Sequence, residues 1–320
     1  MQFNRYIALP KSSWLNKKLF FLFRILLFTS IAIYLWQSTV ANQKIIMDLG
    51  SIKHSWQIYD SVLLLIVLFL LPINWLLEAM KWQRIAANAN LSLKQALKGV
   101  VLGVTLDNIL PASAGAISGR VVTLPKENRY TVIPGILLGQ IIQSTITFLF
   151  GLYGFWLVWQ KASALFIWHP IYTYFALASS MIIVLSIFFW QGKIRKFLQP
   201  LWQYTLNSLL MIFAFALARY LVFLMQFMML SFIFAPDLDQ ALVFGCATWV
   251  FAARTFMPKI SNLERLGIRA LAVVFFMNLF NQSSSQMLVA VVVLWFINLA
   301  IPSIIGLVFF KDIKLGTLLK

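Results

Sequence analysis

Runs of about twenty apolar residues recur along this chain, at 61–80, 132–159, 168–190, 207–234 and 287–310 among others, and no other feature restricts its fold so strongly. A hydrocarbon core about 30 Å thick takes roughly 20 helical residues to cross. Lipid offers backbone amides no partner, so each run must satisfy its own N–H and C=O groups as helix. Composition agrees, with 61% hydrophobic residues, 11% charged and a mean hydropathy of +0.86, outside what a soluble domain tolerates. The expectation is an all-α, polytopic helical membrane protein of about seven to nine spans, a single integral membrane domain over residues 1–320. The hydrophilic remainder makes short loops, so chemistry or transport must take place within the membrane or at its surface.

One stretch does not suit lipid. Residues 106–124, LDNILPASAGAISGRVVTL, continue an apolar run but place Asp107, Asn108, Pro111, Gly115, Gly119 and Arg120 where a span should go on. Proline removes a backbone donor, glycine weakens helix, and an ionisable residue at depth costs about 2.5 to 3.5 kcal/mol on insertion scales. Such a segment must be buried in protein or line a wet cavity. Its flanks are basic on both sides, Lys94 and Lys98 before it and Arg120, Lys126 and Arg129 after it. The positive-inside rule then puts both ends in the cytoplasm, as a re-entrant hairpin requires and a straight span does not.

The charge balance, 26 Lys+Arg against 9 Asp+Glu for a net +17, would point to nucleic acid in a soluble protein. Here basic cytoplasmic loops account for it, and no nucleic-acid partner is expected. The N-terminal segment is basic and leads into an apolar run at 19–36 that contains Arg24 and ends in Tyr34 and Trp36. Thr39-Val40-Ala41 resembles a cleavage site, but the length and the aromatic end favour a retained first span. The chain is thus expected in the cytoplasmic membrane with its N-terminus inside, residues 1–60 forming one span and an external loop. Cys246 is the sole cysteine, which excludes an intramolecular disulfide and a cysteine-based metal site. His54 and His169 fall near span ends.

Further along, Glu78, Lys81 and Arg84 can share a helix face just past the lipid. The run at 132–159 carries Gly135, Gly139, Gly151 and Gly154 together with Gln140 and Gln143, and small residues with buried amides predict a helix packed against the broken element. Arg219 lies near the middle of the run at 207–234. A second interrupted place follows, with Arg254, Pro258, Glu264, Gly267 and Arg269. Paired broken segments in two halves of a hydrophobic chain point to a repeat-built transporter, here with repeats at about 61–190 and 206–310. An inverted repeat would bring the second segment in from outside, whereas Lys259, Arg265 and Arg269 favour the inside.

The stretch from 74 to 120, NWLLEAMKWQRIAANANLSLKQALKGVVLGVTLDNILPASAGAISGR, together with the Gln140 and Gln143 helix, ALARYLVFLMQF at 216–227 and MPKISNLERLGIRA at 257–270, resembles the flippase-like transmembrane family that includes the membrane region of lysylphosphatidylglycerol synthases. The resemblance is spread over about 61–310. It puts Pro111, Gly115 and Arg120 on that family's first motif, and Pro258, Glu264, Gly267 and Arg269 on its second. The acidic residue that commonly follows the motif's glycine is Ala116 here, so Asp107 or Glu78 would have to substitute. These 320 residues contain no soluble aminoacyl-transfer domain, so the resemblance implies lipid translocation at most, and not lipid synthesis.

Asp107, Arg219 and Arg254 are the ionisable residues deepest in apolar sequence, and pairing Asp107 with one of the arginines is the economical arrangement. Such a pair could equally do no more than lock helices together. Arg120 and Arg269 offer forks of donors that can grip a phosphate or simply snorkel to headgroups. The expected substrate site is therefore Arg120, Asp107, Asn108, Arg219, Arg254, Arg269 and Glu264, with Pro111, Gly115, Gly119, Pro258 and Gly267 breaking the helices. No glycine-rich phosphate loop, HExxH or nucleophile elbow occurs, so neither an enzyme, a cofactor nor a metal is expected. The reading placed first is a transporter of an anionic phospholipid or lipid-linked substrate, the runner-up a non-transporting scaffold for a lipid-modifying enzyme or glycosyltransferase, and an intramembrane enzyme acting on lipid-linked substrates comes third.

Overall fold

A computed structural model describes residues 57–107, 114–162, 192, 195–257 and 262–310. The first apolar run, the run at 168–190, Asn108, Pro111, Pro258, His54 and His169 lie outside the described residues. Among the described residues every regular element is a helix. Four helical stretches are long and apolar enough to cross a membrane, at Ile58–Ile85, Ile133–Ala162, Leu206–Phe234 and Ser285–Phe309. Their outer faces expose Leu65, Phe69, Ile141, Leu149, Leu210, Met225, Ile304 and Val308. In water these would form an intolerable apolar surface, and in lipid they are solvated. The protein is a helical membrane protein.

Helix α1 (Ile58–Ile85) starts where the Gln57 amide donates to Asp60 Oδ2 at 2.9 Å. Helices α2 (Leu93–Asp107) and α3 (Ala114–Val122) follow, then α4 (Ile133–Ala162). Helix α5 (Leu206–Phe234) is capped by Thr205, whose Oγ1 accepts from the Ser208 amide at 3.3 Å, and α6 (Gln240–Phe256) by Asp239, which accepts from the Leu242 amide at 3.0 Å. These satisfy amides that a helix start leaves without partners. Helix α7 (Asn262–Leu279) and a final run, α8 (Ser285–Trp295) joined by a π turn at Phe296–Ala300 to α9 (Ile301–Phe310), complete the set. Pro302 has no N–H to give the Asn298 carbonyl, and the widened turn directly before it accommodates the proline ring.

The stretch that sequence marks as broken is a helical hairpin. A Cβ on Gly115 would overlap the backbone of Leu106 and Asp107, one on Gly119 the backbone of Gly103, and one on Gly99 the Thr123 side chain. The facing residues run in opposite directions at four-residue intervals, so α2 and α3 are antiparallel with their backbones in contact. At 1.5 Å per residue the arms are about 22 and 14 Å long, too short for either to cross a 30 Å core.

Helices α1 and α5 pack along their lengths and run antiparallel, with Arg219 bonded near Glu78 and Gln226 near Val67. The last turn of α1 meets the start of α5 where the Tyr204 hydroxyl donates to the Ile85 carbonyl at 2.7 Å. Helix α2 therefore starts beside the N-terminal end of α5 and α6 beside its C-terminal end, so the two interrupted pairs enter from opposite ends of the bundle. That overturns the expectation, drawn from basic residues around both, that the two pairs enter from the same side. Its premise counted Arg269 as a loop charge, but this side chain is 4% exposed within the protein. The glycine-bearing helix α4 also departs from expectation. It packs chiefly on α6, with Gly151 against Ala252 and Gly154 against Trp249 and Gly245, and only slightly on α3.

Tyr204 lies outside the spans and supplies one of the few partners available to the carbonyls at the end of α1. Tyr204→Phe should cost about 1 kcal/mol, read as a lowered midpoint in detergent melts at neutral pH. Burial raises the Tyr204 phenol above its ordinary value. The protonated form is thus favoured by folding, and the contribution is complete below about pH 10 and lost only as the pH rises further.

Candidate functional site

Three polar residues on α1, Asn74, Glu78 and Lys81, recur at four- and three-residue spacing and so share one face. That face is turned into the protein, where all three are at most 4% exposed. Glu78 and Lys81 therefore do not sit on a solvated face beyond the lipid as the sequence implies; Arg84, a turn later, is the exposed member. Glu78 is the centre of the site. Its Oε2 takes Lys81 Nζ at 2.7 Å and Arg219 Nη1 of α5 at 2.7 Å, while Oε1 takes Arg120 Nη2 of the hairpin at 2.6 Å. Three cations on three helices thus converge on one carboxylate, an arrangement burial makes rigid because removing any partner leaves charge in a low-dielectric interior.

Arg219 is oriented further. Its Nε donates to Asn74 Oδ1 at 2.8 Å, Asn74 Nδ2 to Asn298 Oδ1 at 3.1 Å, and Asn298 Nδ2 to Gln226 Oε1 at 2.9 Å. Gln226 Nε2 closes the chain on the Val67 carbonyl at 2.9 Å. Asn298 lies in the π turn, so the widened turn of the last helix, α1 and α5 are tied by a single run of amides. The Arg219 guanidinium also lies 6.0 Å from the Trp75 ring and 5.4 Å from that of Phe223, within cation–π reach.

Beside this cluster is a cavity of about 200 Å³. Of the residues expected in a substrate site, Arg120, Asp107, Arg219, Arg254 and Arg269 all line it, from α3, α2, α5, α6 and α7 respectively. Gln140 and Gln143 of α4 line it too. Asn108 lies outside the described residues, as do Pro111 and Pro258. Glu264 belongs to α7, but its side chain is not among those described. Gly115 and Gly119 close the hairpin, and Gly267 is half-buried in α7. The arginine deepest in α5 takes Glu78 as its carboxylate, where sequence offered Asp107. Asp107, 9% exposed, faces the same cavity.

Sequence reasoning missed Glu78 as the hub, and with it Asn74, Asn298, Gln226 and Tyr220. The 74-78-81 spacing was the available signal, since three polar residues on one face of an otherwise apolar helix demand an interior partner. Among the described residues no three His, Cys, Asp or Glu side chains gather as metal ligands would. No protein-family model, curated protein or solved structure matches the chain. Fold and site together define a helical membrane protein with an arginine-lined cavity between its helices.

Proposed function

We propose that this chain moves an anionic phospholipid or lipid-linked substrate across the cytoplasmic membrane, in the manner its resemblance to the flippase-like family implies. The observation that carries the reading is the cavity itself. Five cationic side chains and two carboxylates line a space between helices, four of them long enough to span lipid, and charges placed at such cost within a membrane characteristically mark substrate pathways. Tight pairing around Glu78 alone would suit a scaffold equally well. The open volume beside it, with Arg254 and Arg269 on its wall, favours transport.

The packing supports an internal repeat. Each half has a long helix, an interrupted pair and a second long run: α1, α2–α3 and α4, then α5, α6–α7 and α8–α9. Exchanging the halves turns the α4–α6 contact into the contact of α9 with α2, and leaves α1–α5 unchanged. The facing residues match as well, Thr105 packing on Gly306 and Thr248 on Gly154. Because α1 and α5 are antiparallel, the relating axis lies across them, in the membrane plane, as in inverted-topology transporters. On this reading α2–α3 is a re-entrant hairpin, the N-terminus is cytoplasmic and the runs at 19–36 and 168–190 add spans.

Leaflet exchange of a fluorescent anionic phospholipid in proteoliposomes tests the proposal. Intact protein should accelerate exchange over empty vesicles, and folded Arg254→Gln protein should reduce it at least ten-fold. Folded protein that gives no exchange would put the scaffold reading first.

A further inference from the structure

The described residues just before α5 form a short helical element that packs only lightly on α4. Residues 195–198 make one α-helical turn, and Gln199–Gln203 continue it as a 3-10 turn with Pro200 at its start. Tyr204 and Thr205 then take extended backbone angles, φ −76° with ψ 120° and φ −71° with ψ 158°, so the element turns away from the axis of α5. So short a helix does not hold in water by itself. This one nevertheless exposes Phe197 at 43% and Trp202 at 82%.

Its depth is set by α1. Asn88 Nδ2 donates to Gln203 Oε1 at 2.7 Å and the Tyr204 hydroxyl to the Ile85 carbonyl, which ties the element to the C-terminal end of that helix. At 1.5 Å per residue α1 is about 42 Å long, close to the full thickness of a bilayer with its headgroup layers. Its last turn therefore lies among headgroups, where aromatic side chains of membrane proteins concentrate. The exposed apolar surface also runs on without a break into Leu206, Leu210 and Phe213 of α5, part of the lipid-facing surface.

Charge favours the same partner. The described charges at this end of the bundle are Arg84, Lys94, Lys98, Arg129, Arg195 and Lys196 against Glu127. Among the described residues no carboxylate pairs with Arg84, Arg195 or Lys196. Arg84 stands beside the element, in a small cleft that it lines together with Gln203 and Ser208. Long basic side chains reach headgroups while their stems lie along apolar neighbours, and each cation near an anionic leaflet adds to the attraction.

We propose that residues 195–203 lie in the membrane plane as an anchor on an anionic phospholipid surface, with Phe197 and Trp202 among the upper acyl chains and Arg84, Arg195 and Lys196 against the headgroups. Through Gln203 and Tyr204 the anchor holds the α1–α5 pair, and with it Glu78 and Arg219, at a set depth. Nothing in this requires transport, so the outcome is independent of leaflet exchange. Single cysteines in the full chain test it, because Cys246 is fully buried and the parent protein serves as the labelling blank. Phe197→Cys, Trp202→Cys, Leu210→Cys and Glu127→Cys replace exposed side chains, and a melting midpoint near the parent's qualifies each variant. Each carries a nitroxide in nanodiscs of phosphatidylcholine alone or equimolar with phosphatidylglycerol. Collisions with oxygen, which concentrates in lipid, are compared with collisions with a water-soluble nickel chelate. In the anionic discs the oxygen-to-nickel ratio at 197 and 202 should approach that at 210. In phosphatidylcholine alone it should fall at least two-fold at 197 and 202 and stay unchanged at 210. Arg195→Gln combined with Lys196→Gln, which leaves Trp202 in place, should abolish that difference at 197. Nickel access at 197 and 202 as high as at 127 would place the element in water and overturn the proposal. Exclusion of both reagents would show that protein covers the two rings, and would overturn it as well. Ratios that are the same in the two kinds of disc would overturn the anionic surface as the partner.

Discussion

Glu78→Gln should destabilise the protein by about 3 to 5 kcal/mol, the range found when one partner of a buried ion cluster is removed. The substitution keeps shape and removes only charge. Lys81, Arg120 and Arg219, with side chains 5%, 13% and 20% exposed, then face one another with no carboxylate between them. Against a total stability of about 5 to 15 kcal/mol, that is a large share, visible as a clearly lowered melting midpoint and a diminished monodisperse peak in mild detergent. Arg219→Gln should cost less, because Lys81 and Arg120 still compensate Glu78. In the double variant, Gln at both positions removes one cation along with the carboxylate, so its loss should be smaller than the sum of the two single losses. The coupling from that cycle measures the 78–219 pair directly. A Glu78→Gln protein that melts within a degree of the parent would mean that these charges are reached by water and do not form the cluster described.

The helical membrane class was readable because apolar length alone decides it. The hairpin was readable from Pro111, Gly115 and Gly119 and from basic residues at both ends of one short apolar stretch. That Arg120, Arg219, Arg254, Arg269 and Asp107 lie inside the protein was readable, since each is costly in lipid, and they line one cavity. The partner of Arg120 and Arg219 was harder to see. Glu78 has Lys81 three residues away, which looks complete as a surface pair, whereas its other cations are 42 and 141 residues distant and meet it only through the α1–α5 and hairpin packing. Asn298 depended on a π turn that no periodicity announces, although Pro302 four residues on could have raised the question. The entry of the two pairs relative to each other was misjudged for a related reason. The positive-inside rule counts loop charges, and Arg269 is an interior one.

Gly119→Ala should be nearly as damaging as the loss of Glu78, through a different route. A single methyl there meets the backbone nitrogen and Cα of Gly103 and the carbonyl carbon of Leu102, none of which can rotate away. The hairpin arms must separate, and overpacking of that kind costs about 1 to 3 kcal/mol or more. Arg120 follows directly in sequence, so the displacement also draws its guanidinium from Glu78 Oε1, and the two losses add. Gly99→Ala is a graded comparison. Its methyl meets Thr123 Oγ1 at 2.8 Å, a side-chain atom that can turn at the expense of its 2.7 Å bond to the Arg120 carbonyl, so a loss of about 1 kcal/mol is expected. Gly192→Ala has nothing within 4 Å among the described residues and should stay within about 0.5 kcal/mol of the parent. Melting midpoints in the order 192, 99, 119 would trace the closeness of the two arms, and leaflet exchange should fall in the same order because the hairpin carries Arg120 to the cavity. A Gly119→Ala protein as stable as Gly192→Ala would show that the arms are not packed backbone to backbone, and Arg120 would then have no fixed place beside Glu78.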